Sequence, residues 1–205
     1  MEKINELVRH MQFTADRKLV FHKLKGNLKV VGFGDAAHKN LDGQKSQGGH
    51  LTSAMDSMGV SCLVSWSSKR SRRHQRSTFG AELVQQELMV DKLVVVKRLL
   101  QAAMGVDCPV HMRTDCLSLV KNVHSHRAMV TEEMLMEPVV GLRDELVHGD
   151  VQSFEFCPSR LNVADGMSKP EQALRVPILK LMRGTTRLWT FDPLVSGAWR
   201  QPPEC

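Results

Sequence analysis

Apolar and polar positions change their period several times along the chain. Residues 1–26 open with Ile4, Leu7, Val8 and Met11 at helical spacing, and an apolar run near Leu19–Phe21 allows a strand. Leu28–Asp35 (LKVVGFGD) is short and apolar on both faces, as a central strand is. Asn40–Gly49 is rich in Gly, Gln and Asp and reads as a loop. Gly48–Met55 and Val60–Trp66 follow as a hairpin across Asp56–Gly59, with Val60, Cys62, Val64 and Trp66 on one face. The longest helical pattern runs from Thr78 to Met104, with Phe79, Leu83, Val90, Leu93, Val94 and Leu100 as its stripe.

Pro109–Thr114 predicts a strand ending at Asp115, and 116–123 a small helix. The stretch 124–130 reads as a loop. Leu135, Val139, Leu142 and Leu146 then predict a helix up to Gly149, which Pro138 must either start or kink. Val151–Cys157 is a further strand and Asn162–Ser168 a short helix. Residues 171–205, holding two of the three tryptophans but no long periodicity, read as a tail. The order β-β-β-α-β-α-β-α predicts an α/β domain over residues 27–170, its mixed sheet covered by helices.

Composition narrows the class. The chain has 205 residues, 42% of them hydrophobic, enough for a real core. No apolar run is long enough for a transmembrane helix, and the N-terminus lacks a secretory apolar segment. Five cysteines without a C-x-x-C pair suit reduced thiols better than a disulfide framework or a zinc site. The expected setting is therefore intracellular, cytoplasmic or nuclear, with no membrane partner. Net charge is +6, and it is unevenly spread: Lys69, Arg70, Arg72, Arg73 and Arg76 fall within KRSRRHQR. Such a cluster binds polyanions through counterion release, although a solvated loop or an import-like string has the same composition.

Four carboxylates fall outside the solvated faces that hold most of the others: Asp35, Glu82, Asp115 and Asp165. Asp35 and Asp115 close two apolar strands. If those strands are parallel neighbours, the carboxylates emerge together at the edge where open α/β sheets bind ligands. Glu82 lies early in the long helix, and Asp165 follows the last strand and its Pro-containing loop. Crowded carboxylates take up protons unless a cation neutralises them, and an all-oxygen donor set favours Mg²⁺ or Mn²⁺. Two such ions about 3.5–4 Å apart serve phosphodiester hydrolysis. For any single Asp, a loop cap remains the alternative.

The segments around these residues resemble the ribonuclease H domain at the end of the Pol polyprotein of copia-type retrotransposons. The matching pieces are Val30–Ala36 (VVGFGDA), Ser65–Lys69 (SWSSK), Ser77–Glu82 (STFGAE), Thr114-Asp115 and Pro158–Pro170 (PSRLNVADGMSKP), in the family's order. Residues 1–26, with Asn5–Arg9 and Phe21–Lys23, resemble the end of the preceding reverse transcriptase. The resemblance implies a ribonuclease H-like fold: a five-stranded mixed sheet flanked by helices. It also implies Mg²⁺-dependent hydrolysis of the RNA strand of an RNA–DNA hybrid, with the reverse-transcriptase domain as a partner. Asp35 would bridge two ions, Glu82 and Asp115 would hold one, and Asp165 the other. The chain departs from the wider pattern in two places. The loop before Asp165 has no histidine; His124 or His126 could substitute from the preceding segment, with a surface histidine as the favoured alternative, and Gly34 stands where a small polar residue is common. Two other outcomes stay open: an inactive nucleic-acid-binding remnant, and the same metal chemistry on a Holliday junction or single-stranded DNA.

Overall fold

The computed structural model describes residues 2–72, 74–125, 130, 132–188, 190–192 and 198–200. Helix α1 (Glu2–Phe13) precedes a sheet made of β1 (Lys29–Leu41), β2 (Lys45–Met55), β3 (Ser61–Arg70), β4 (Val110–Thr114) and β5 (Val151–Phe156). Between them come α2 (Thr78–Met104), α3 (Leu117–His124) and α4 (Met136–Val147). After β5 follow α5 (Asp165–Ser168), α6 (Gln172–Met182) and a small pair, β6 (Thr190–Asp192) and β7 (Ala198–Arg200). The five-stranded sheet has the order β3-β2-β1-β4-β5. β2 is antiparallel to both its neighbours, while β4 runs parallel to β1 and to β5. The hairpins come first and the helical crossovers after, as the order of patterns predicted.

Central β1 carries a core on each face. On one side Val30 packs with Leu83, Met89 and Leu93 of α2 and with Leu119, Val139 and Leu142. On the other, Val31 and Phe33 pack with Leu51, Leu63, Ile178 and Leu181. Glycine sets the helix distances. A Cβ at Gly32 would lie 2.7 Å from a Leu93 methyl, and one at Gly34 2.6 Å from Gln86 Nε2. Gly34 is thus the floor on which Gln86 rests. On the opposite face a Cβ at Gly49 would lie 2.3 Å from Met167 Cβ, so α5 lies directly on the sheet. Helix α2 is bounded by side-chain and backbone caps: Ser77 Oγ accepts from Gly80 N at 3.0 Å, and Gly105 ends it in the left-handed region.

Several local expectations need correction. Asn40–Gly49 is mostly strand, because a β-bulge around Lys39 and a turn at Asp42–Gln44 absorb its turn-forming residues. Asn40 Oδ1 accepts from Gln47 N at 3.1 Å and replaces a ladder bond there. Leu19–Phe21 is not a strand; it is an extended segment, with Val20 N bonded to Met182 O. The expected face Val60, Cys62, Val64, Trp66 is broken by a bulge at Val64, which leaves Leu63 in the core and Val64 and Trp66 exposed. The stripe of α1 also stays uncovered, with Ile4, Val8 and Met11 all exposed. Pro138 sits in the first turn of α4, where its missing N–H costs nothing.

Within residues 171–205, α6 buries Ile178 and Leu181, and Leu188 joins the same core. Pro177 lies inside that helix, which hid its periodicity. Leu181→Ala should therefore cost about 2–5 kcal/mol of stability in urea denaturation, as a core truncation does. A change within about 0.5 kcal/mol, the surface value, would mean that α6 does not pack there.

Candidate functional site: a carboxylate cluster at the sheet end

The parallel pairing of β1 with β4 ends at Phe33 and Arg113, and two residues further on the same face stand Asp35 and Asp115. Glu82 comes from α2 on the other side and accepts from Ala36 N through Oε1 at 3.3 Å. One ligand oxygen from each of Asp35, Glu82 and Asp115 lies within 4.8 Å of the others. Asp35 and Glu82 are buried, 2% and 5% exposed. Asp165, at the start of α5, joins through a lysine: Lys169 Nζ lies 3.0 Å from Asp165 Oδ1 and 3.5 Å from Asp35 Oδ1.

A shell of donors fixes these groups. Ser168 donates to Asp35 Oδ2. Asp115 accepts from Asn162 Nδ2 at 3.1 Å and from Ser159 Oγ at 2.7 Å, and the Asn162 amide also reaches Gly34 O. Behind Asp115 the buried Arg113 donates to Glu155 at 3.1 Å and stacks 5.3 Å from the Phe33 ring centroid. Burial opposes the charge on Glu155, yet hydrogen bonds from His111 and Ser153 and the Arg113 guanidinium hold its carboxyl down to about 2.

The cluster itself shows the opposite shift. Burial, then the charges of Asp35 and Asp115, push Glu82 up to about 9. Burial raises Asp35 above the usual carboxylate range, with Asp115 adding to it and Ser168 and Lys169 opposing. Asp165 is pushed up to about 6 by burial and by Asp35. Among the described residues, Glu82 Oε2 is buried without a hydrogen-bond partner. A buried carboxyl oxygen left without a partner between two further carboxylates is a place for a cation, which would displace the proton Glu82 otherwise keeps, and a donor set of oxygens alone suits Mg²⁺ or Mn²⁺. The residues therefore fit a hard divalent ion.

The basic residues lie at the same end of the sheet. Gly49, the partner of Asp35 on β2, pairs on its other side with Ser68 of β3, and Lys69 and Arg70 follow. Arg72 and Arg76 lie on the connection to α2, exposed like Lys69 and Arg70. That connection is tied beside β1 by His38 Nε2, 3.1 Å from Gln75 O. Arg73 lies outside the described residues, as does His126. His124 is bonded through Nε2 to Phe154 O at 2.8 Å, on the backbone of β5. Asn40, Gln47, Ser68, Met167, Lys169 and Arg175 line a cleft of about 510 Å³ beside the cluster.

Sequence reasoning assigned no role to Ser159, Asn162, Ser168 or Lys169. All four lie in the Pro158–Pro170 segment that carries the resemblance, and their density around Asp165 was the available signal.

No family model and no curated protein matches the chain. Solved structures similar to it include the N-terminal RNase H domain of a Mycobacterium tuberculosis protein, fused to maltose-binding protein. That match has 16% identity over 69% of this chain and 91% of the other, with a TM-score of 0.48. Another is LC11-RNase H1, isolated from compost and solved with an RNA/DNA hybrid: 19% identity, 68% and 93% coverage, TM-score 0.46. A third is a foamy viral protease-reverse transcriptase in complex with dsDNA, at 12% identity, 73% and 96% coverage and a TM-score of 0.43. The strand order, the single antiparallel β2 and the helices on both faces make this a ribonuclease H-like α/β fold. Among the described residues no helix is long and apolar enough to cross a membrane.

The raised carboxyls imply a pH dependence whose sign follows directly. Unfolded Glu82 ionises near 4.5, while folded Glu82 keeps its proton to about 9. Between those values the folded chain binds the extra proton, so its stability falls as pH rises. Melts in EDTA should show the melting temperature dropping from pH 6 to pH 9, with Glu82→Gln flattening the drop and Mg²⁺ reversing part of it. A wild-type curve as flat as the variant's would contradict this account of Glu82.

Proposed function

We propose that the chain is a metal-dependent endonuclease that hydrolyses the RNA strand of RNA–DNA hybrids during retrotransposon reverse transcription. The observation that carries this reading is the convergence of Asp35, Glu82 and Asp115 ligand oxygens within 4.8 Å just past the last parallel pair of β1 and β4, with Asp165 alongside. Asp35 does not close β1, which runs on to Leu41 in its hairpin with β2. Asp35, Glu82 and Asp115 would hold one divalent ion, and Asp35 with Asp165 a second. Such ions supply an activated water and stabilise the departing 3′ oxygen. Asn162 and Ser159 hold Asp115 in one rotamer, and Ser168 does the same for Asp35, so the cluster is preorganised. Lys69, Arg70, Arg72, Arg73 and Arg76 would grip phosphates of a duplex lying across the cluster. Phosphate contacts position without reading sequence, so sequence preference is weak and binding strongly salt-dependent.

The choice of a hybrid over other duplexes rests on the ordered motifs shared with the copia-type ribonuclease H domain. The same resemblance assigns residues 1–26 to the end of an upstream reverse transcriptase. The exposed stripe Ile4, Val8, Met11 is consistent with an apolar face that a preceding domain would cover.

The test is cleavage of a labelled RNA–DNA hybrid with Mg²⁺, beside double-stranded RNA, double-stranded DNA, single-stranded DNA and a four-way junction. The hybrid's RNA strand should be cut, and Asp115→Asn should abolish cutting. Asn162→Ala should lower the rate by about 10–100-fold, as loss of a ligand-orienting group does. Salt-sensitive hybrid binding without cutting would indicate an inactive binding remnant, and preference for the junction or single strand would change the substrate. Removing one of Arg70, Arg72 or Arg76 should reduce the log–log salt slope of hybrid binding by about 1.

A further inference from the structure

Lys169 has an unusual set of neighbours for a lysine. Its ammonium lies between two carboxylates from different elements, 3.0 Å from Asp165 Oδ1 and 3.5 Å from Asp35 Oδ1. Both acceptors are buried, with side chains 11% and 2% exposed, whereas Lys169 retains 33%. The arrangement is built in from the backbone. Asp165 and Lys169 are four residues apart along α5 and its end, which places them on one side of that turn. Ser168 takes Asp35 Oδ2, which leaves Oδ1 to face the lysine.

We propose that the Lys169 ammonium is the resident cation of the Asp35–Asp165 half of the site. The free protein then takes a divalent ion first at the Asp35, Glu82 and Asp115 corner, and a second ion enters only when Lys169 gives way. This rests on the nuclease reading and specifies how that site is loaded. The ammonium and a divalent ion drawn to Asp35 Oδ1 and Asp165 Oδ1 would repel each other at contact range, so the lysine opposes the second ion until it moves away. Lysine is a point charge on a flexible stem, and Lys169 lines the adjoining cleft, so it has room to withdraw. A phosphate entering that cleft would offer the ammonium a new partner as it leaves the carboxylates. Lys169 thus couples loading of the second ion to arrival of the polyanion, and is a positioning residue, not a catalytic one.

The experiment is a Mn²⁺ titration of the full chain without nucleic acid, reading free Mn²⁺ by electron paramagnetic resonance. The wild type should bind one ion firmly and a second weakly. Lys169→Met and, as an independent variant, Lys169→Gln should strengthen the second ion at least about tenfold, since a charge at contact distance is removed. Lys169→Arg, which keeps the charge, should retain the wild-type pattern. Arg175→Met removes a cation from the same cleft and should leave both ions unchanged. Second-ion affinity equal in the wild type, Lys169→Met and Lys169→Gln would overturn the inference, and an equal gain in Arg175→Met would assign the effect to net charge and overturn it too. If Asp115→Asn weakens the first ion while the Lys169 variants change nothing, this inference fails and the nuclease reading stands. If no form of the protein binds Mn²⁺, both fail.

Discussion

Repulsion among carboxylates gathered at one end of the sheet is the constraint around which the rest of the structure is arranged. Asp35, Glu82 and Asp165 are all buried, and their proton affinities are raised accordingly. Left to themselves such groups would splay apart. Here each is pinned by a separate element: Asp35 by the central strand, Glu82 by α2, Asp115 by the 158–163 loop and Asp165 by α5. Glycines allow this crowding. Gly34 lets α2 approach β1 from one face, and Gly49 lets α5 lie on β2 from the other. The energy that holds the carboxylates together comes from the two apolar cores behind them, so stability and site geometry are supplied by different residues.

Charge is divided along the same lines. Arg113 and Glu155 form a buried pair next to Asp115, closed by His111 and Ser153, which ties β4 to β5 behind the cluster. Breaking such a pair leaves a buried charge uncompensated, so the strands that present Asp115 are locked in register. Lys169 neutralises the cluster from the solvent side. The exposed arginines and Lys69 stand apart from the carboxylates, on β3 and on the segment leading to α2, at the same end of the sheet. One end of the molecule thus combines a cluster of carboxylates with a border of exposed cations, which under the proposed function would hold ions and a polyanion respectively.

Much of this was legible in the residues. Two apolar segments each leading to an Asp and the place of Glu82 early in a long helix were legible, while the parallel pairing that brings Asp35 beside Asp115 was only a condition on that reading; β1 in fact continues past Asp35 to Leu41. The misreadings share a cause. Asn40–Gly49 has loop composition because a bulge and a tight turn need those residues, yet its backbone still completes the ladder. The Val60–Trp66 alternation is interrupted by one extra residue at Val64, and a period-two pattern cannot reveal a bulge from within one strand. The helix Gln172–Met182 contains Pro177 and is short, so its local signal is weak; contact with β3 and α5 stabilises it.

The sequence by itself determined the order of the five sheet strands and of the helices between them, and singled out Asp35, Glu82, Asp115, Asp165 and the basic segment, because these depend on local periodicity and on which side chains carry charge. Tertiary structure alone decided which donors serve which carboxylate. Asn162 and Ser159 on Asp115, Ser168 on Asp35 and Lys169 on Asp35 are pairings across up to 134 residues of chain. No local propensity encodes such a pairing. It arises only when glycine-lined faces let α2 and α5 close on the sheet, bringing groups far apart in sequence within hydrogen-bonding distance.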